Sequence, residues 1–133
     1  MKVLFVCRGN VGRSQMASAF FNKISEKNQS LSAGTHVGEN EGKYLHEFVI
    51  RCMAESDFDL SKNIRRQLAP EMVKEVDKVV VITEKEDLPN YVKNSKKLIF
   101  WDVEDGKGKS YEFHCKIRDQ IRNLVEKLVK EIG

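Results

Sequence analysis

Residues 2–14 read KVLFVCRGNVGRS, a continuous apolar run of strand length that ends in a cysteine and passes at once into glycines, an asparagine and two arginines. Ala17, Phe20, Phe21 and Ile24 then recur at helical spacing, so a strand, a loop and a helix follow one another directly. A strand apolar at every position must be covered on both faces, and a helix returning over it is the usual cover. The rest of the chain repeats the pattern. LSAG is a short strand that stops at Gly34, and KYLHEFVIRCMAES sets Leu45, Phe48, Val49 and Cys52 on one helical face. Pro70 opens a short helix through Met72 and Val73; KVVVIT reads as a buried β-branched strand and KKLIFW as a fourth. Ile117, Ile121, Leu124, Leu128 and Ile132 lie on a long final helix that starts around RDQI. This alternation predicts a doubly wound α/β fold with a mostly parallel sheet, right-handed crossovers and helices on both faces. At 133 residues, 41% of them apolar, the chain suffices for one domain, 1–133, with a sizeable core.

Ligands of such sheets sit beyond the carboxyl ends of the strands, where the loop after the first strand falls. In that loop Cys7 and Arg13 bracket five residues, Arg8, Gly9, Asn10, Val11 and Gly12, and Ser14 follows. Gly9 and Gly12 permit backbone angles that turn successive N–H groups inward, Asn10 tolerates the left-handed conformation, and the helix beginning near Ser14 aims its positive end at the same point. Such a loop is a nest for a tetrahedral oxyanion. The planar fork of Arg13 suits two phosphoryl oxygens, and the same positive field favours a nucleophilic thiolate at Cys7, to which Ser14 can donate a hydrogen bond.

The remaining chemistry-bearing residues read more plainly. Cys52 shares an apolar helical face and belongs to the core, whereas Cys115 projects from the side of the last helix opposite Ile117 and Ile121. Three widely spaced cysteines suit a reducing compartment rather than a disulfide framework. His36, His46 and His114 lack the spacing of a metal site, so neither a metal nor another cofactor is expected. Arg65 and Arg66 read as a solvated surface pair, with a widening of the positive field for a polyanionic substrate as the alternative, and Arg118 and Asp119 as paired or solvated. A net charge of +3 on a background equally rich in acids excludes a nucleic-acid stripe. No apolar run spans a bilayer and MKVLFVC is too short for a secretory signal, so the expected partners include neither nucleic acid nor membrane and the expected location is cytoplasmic.

VCRGNVGRS resembles the phosphate-binding loop of the low-molecular-weight protein tyrosine phosphatases and of their relatives, the thioredoxin-type arsenate reductases. The resemblance covers nearly the whole chain, since SAGT after the first helix, the acidic loop after IFW and the RDQI segment also fall where that family has similar ones. It implies a four-stranded parallel sheet of order 2-1-3-4. It further implies that Cys7 attacks phosphorus, that Arg13 stabilises the equatorial oxygens, and that Asp105 protonates the leaving oxygen. This sequence has Asp105-Gly106 where the family has Asp-Pro, and Asp102 is the alternative acid. Gly12 stands where the phosphatases carry a second, protective cysteine, and THVGENEGKY offers only His36 and Tyr44 as rings to hold a phosphotyrosine. The segment ITEKEDLPNYVKN lacks the two cysteines that relay oxidation to thioredoxin in the reductases.

Three functions are compatible with these residues. The leading one is a cysteine-dependent phosphomonoester hydrolase working through a cysteinyl-phosphate on a phosphorylated protein or a small phosphate ester. The second is an arsenate reductase that uses the same loop and recruits Cys52, Cys115 or an external thiol such as glutathione. The third is a non-catalytic phosphate-binding module.

Overall fold

The computed structural model describes residues 1–133. Strand β1 (Lys2–Cys7) leads to helix α1 (Arg13–Ile24) and strand β2 (Gln29–Gly34). Helices α2 (Glu47–Ala54) and α3 (Pro70–Lys74) precede β3 (Lys78–Val81), and the short α4 (Asn90–Lys93) precedes β4 (Leu98–Phe100). Helix α5 (Tyr111–Ile132) closes the chain. All four strands are parallel in the order β2-β1-β3-β4, with Val6 of β1 opposite Ala33 on one side and Val81 on the other.

Successive side chains of β1 leave the sheet on opposite faces, and each face has its own core. Val3, Phe5 and Cys7 join Phe20 and Phe21 of α1, Val49 and Met53 of α2, and Ile121 and Val125 of α5. Leu4 and Val6 pack with Val73 of α3, Val79 and Val81 of β3, and Val92 of α4. The central strand is thus sealed on both sides, and its carboxyl end delivers Cys7 to the loop that leads into α1. No helix is long and apolar enough to cross a membrane.

Several boundaries differ from the sequence reading, each for a local reason. Helix α5 begins at Tyr111 rather than near Arg118, because Ser110 caps it: the Ser110 hydroxyl accepts from the Phe113 N–H at 3.2 Å. Helix α2 begins only at Glu47, where the His46 ring nitrogen Nδ1 accepts from the Phe48 N–H at 3.0 Å, and Leu45 reaches the core from the preceding loop. Ile24 ends α1 beyond the core and is exposed. The four residues of α4 carry too few apolar positions to announce a helix, yet they seat Val92 in the second core.

Candidate active site

The loop between β1 and α1 is built around Asn10. Its φ of 51° is the one left-handed conformation in the loop; Gly12 sits at φ −140°, so the turn expected from the glycines is made by asparagine. Asn10 is fully buried and pinned on both ends of its amide. The Oδ1 accepts from the Arg66 N–H at 2.8 Å and from Gln15 Nε2 at 3.0 Å, which fixes the other end as the NH2 group. That group donates to Ser14 Oγ at 2.7 Å and to Ser32 Oγ at 3.0 Å. With its oxygen already accepting from Asn10, Ser14 has its hydroxyl hydrogen free for the Cys7 sulfur, 3.0 Å away. Gly34 of β2 allows the loop to close this tightly, since a Cβ there would lie 2.7 Å from Arg8 O and from Asn10 N.

No backbone N–H from Arg8 to Gln15 donates to an acceptor in the protein, and α1 has no side-chain cap at its first turn. Free amides at a helix start are the elements of an anion-binding concavity. Cys7 is only 2% exposed and meets solvent through a cavity of about 640 Å³ whose wall includes Arg8, Gly9, Val11, Gly12 and Arg13. Arg13 is itself buried and held from the far side: Nη1 donates to the Val103 carbonyl at 3.0 Å and Nη2 lies 3.6 Å from the Asp105 carboxylate. Arg8, on the same wall, pairs with Asp87 at 2.8 Å.

The segment after β4 supplies the opposite wall, from Asp105 to Lys109. Asp105 faces the cavity, while Asp102 is exposed and outside it, engaged only through its carbonyl, which accepts from Gln120 Nε2. Gly106 stands where the family has proline, and a Cβ at this position would come within 2.7 Å of the His114 ring. The departure in the acid loop is thereby a packing requirement of His114. That imidazole is stacked on His46, with centroids 6.0 Å apart and planes 2° apart, and Phe48 meets both rings edge-on. Burial and the neighbouring His46 hold His114 below the usual histidine range, against the opposing pull of the Gly106 backbone and the Asp105 carboxylate.

Most of the residues singled out in the sequence therefore meet at one place: Cys7, Arg8 through Ser14 and Asp105. The aromatic wall does not match the expectation. Tyr44 is exposed and off the cavity, and the rings that line it are Phe48, His46 and His114, beside the expected His36. Arg65, read as surface, also lines the cavity, its Nε donating to the Gly9 carbonyl at 3.0 Å. Arg118 pairs with Asp119 at 2.9 Å and donates to the Cys52 carbonyl, remote from the cavity. Cys52 and Cys115 are not on its wall. Burial pushes the Cys52 thiol up to about 11.

A single thiol set on a loop of free amides at the end of a central parallel strand, with a guanidinium and a carboxylate above it, defines an oxyanion-handling cysteine protein. The chain belongs to the low molecular weight phosphotyrosine protein phosphatase family, whose family model matches residues 2–133. Arsenate reductase 1 of Staphylococcus saprophyticus is 30% identical over 131 residues, covering 94% of this chain and 93% of that protein. A low molecular weight protein tyrosine phosphatase from T. tengcongensis superposes with a TM-score of 0.89 at 28% identity, covering 98% of this chain and 99% of that one. An arsenate reductase in its phosphate-binding state superposes with a TM-score of 0.82 at 27% identity, over 99% and 98% of the two chains.

Proposed function

We propose that this protein is a cysteine-dependent phosphomonoester hydrolase of the protein tyrosine phosphatase type, acting as one domain in a reducing cytoplasm. The observation that carries the reading is the Cys7 sulfur 3.0 Å from Ser14 Oγ, in front of a run of backbone amides with no acceptor in the protein. The thiolate attacks phosphorus while the ester oxygen departs with a proton from Asp105, leaving a cysteinyl-phosphate and a free alcohol. Water then attacks the phosphoryl group, Asp105 takes its proton, and the thiolate leaves. Arg13 and the loop amides hold the equatorial oxygens through both steps, so the charge that develops there meets donors already in position. Purified protein is expected to hydrolyse an aryl phosphate without added metal, and Cys7→Ser to abolish turnover while retaining phosphate or vanadate binding. Undiminished turnover in Cys7→Ser would overturn the assignment.

The similarity to proteins named arsenate reductase supports a second reading, since arsenate has the shape and charge of phosphate and fits the same loop. Reduction needs a further thiol to take the oxidation from Cys7. Cys52 lies in the core and Cys115 beside it on α5, both off the cavity wall, so this reading requires an external thiol. Arsenate turnover dependent on glutathione would support it. Turnover dependent on thioredoxin and lost in Cys52→Ser or Cys115→Ser would show a relay that leaves the cavity.

A further inference from the structure

The cavity wall carries Arg8, Arg13, Arg65, Lys107 and Lys109 against a single carboxylate, Asp105. Three of these cations are already engaged: Arg8 with Asp87, Arg13 with Asp105, and Lys109 with Glu104 at 3.5 Å. Arg65 and Lys107 have no carboxylate within ion-pair distance. Arg65 is nevertheless fixed in place. Its N–H donates to the Lys43 carbonyl at 2.9 Å and its carbonyl accepts from the Gly42 N–H at 2.8 Å, beside a two-residue bridge between Tyr44 and Ile64. Its Nε is spent on the Gly9 carbonyl, which sets the guanidinium against the cradle, while the terminal nitrogens Nη1 and Nη2 donate to no protein acceptor. A half-buried guanidinium with a fixed stem and two free N–H2 groups is preorganised for a carboxylate or phosphate.

We propose that Arg65, assisted by Lys107 across the mouth, forms a second anion subsite, and that the preferred substrates are phosphomonoesters whose leaving group bears another negative charge close to the ester. This rests on the phosphatase reading of Cys7 and Arg13 and adds the substrate class. The cradle amides and Arg13 take the phosphoryl group; Arg65 sits on the far side of Gly9 and takes the second anion. That anion is either a substituent of a small aryl phosphate or an acidic residue beside a phosphotyrosine, and both present the same chemistry to a guanidinium.

The test compares kcat/KM for carboxyphenyl phosphate against phenyl phosphate, and for phosphotyrosine peptides flanked by Glu against the same peptides flanked by Gln. A preference for the charged partner of roughly fivefold or more is expected, the scale of one charge-assisted hydrogen bond at a half-exposed site. It should shrink as salt is raised. Arg65→Met should bring the ratio close to one, Arg65→Lys should keep part of it, and Lys107→Met should lower it less. Because Arg65 also braces Gly9, the ratio is the readout rather than the absolute rate. A preference in the small esters as well as the peptides assigns the subsite to any nearby anion, and a preference in the peptides alone assigns it to a flanking acidic residue. Equal kcat/KM for charged and neutral partners in both series would overturn the proposal while leaving the phosphatase reading intact. Titration of Cys7→Ser with benzylphosphonate and its carboxylated analogue reads the same preference without turnover, so loss of catalysis and loss of the subsite remain distinguishable.

Discussion

Asn10 joins the architecture to the chemistry: a single buried amide makes the left-handed turn, receives the 63–66 segment, and passes a hydrogen bond through Ser14 to the Cys7 sulfur. Asn10→Ala removes those bonds, orphans the Arg66 N–H and forces alanine into φ 51°. Chemical denaturation should show a loss of about 2–4 kcal/mol, as for a buried polar network with a broken member. Asn10→Gly should recover about 1 kcal/mol of it, because glycine accepts the backbone angle. The proton donor is tested at the same scale. A leaving oxygen of high pKa needs a proton in the transition state, whereas nitrophenolate hardly does. Asp105→Asn should therefore lower kcat/KM for phenyl phosphate, which reports formation of the cysteinyl-phosphate, by about 10²- to 10⁴-fold and that for nitrophenyl phosphate by distinctly less. Asp102→Asn should leave both near wild type. The reverse pattern would make Asp102 the acid.

At the scale of elements, the sequence was most legible where the pattern is local. Strands β1, β3 and β4 are short runs of Val, Ile, Leu and Phe, β2 shows itself only in the LSAG that stops at Gly34, and the cradle is contiguous from Cys7 to Ser14, so these could be read directly. The rest of the cavity is assembled from the 36–46 loop, the first turn of α2, Arg65, the 105–109 segment and the start of α5, and no periodicity encodes that His114, Phe48 and Arg65 line one cavity with Cys7. Pairs of single features do encode part of it. Gly106 following the candidate acid and Gly34 ending β2 mark close approaches, to the His114 ring and to the cradle backbone respectively. Gly34→Ala should cost about 1–3 kcal/mol in a denaturant titration and loosen phosphate binding, since the clash falls on backbone atoms that cannot yield cheaply. His114 gives α5 a pH signature. Its folded-state pKa lies below the unfolded one, so its contribution to stability is complete above the unfolded value of about 6.5 and is lost as pH falls from there toward the folded value. Denaturation midpoints should drop between pH 7 and pH 5, and the slope should be shallower in His114→Gln.

For the molecule as a whole, the sheet directs three cysteines to three different fates. Cys7 ends the central strand at the cavity, Cys52 is locked between α2 and α5 with its thiol pushed up to about 11, and Cys115 is partly exposed beside Glu55. Alkylation mapped by mass spectrometry should show phosphate protecting Cys7, with Cys52 reacting last; equal labelling of Cys7 with and without phosphate would argue against an anion held over the thiol. The central claim is that Cys7 carries the phosphoryl group, and trapping that group tests it most directly. In Asp105→Asn an activated aryl phosphate still loads the enzyme, but the water that unloads it lacks its base, so the intermediate accumulates. Acid quench during turnover should give a burst of about one phenolate per enzyme, the signature of covalent catalysis, with the phosphoryl group on the peptide containing Cys7. Steady hydrolysis with no phosphoryl group on Cys7, or no hydrolysis of any ester by a protein that still binds vanadate, would contradict the account.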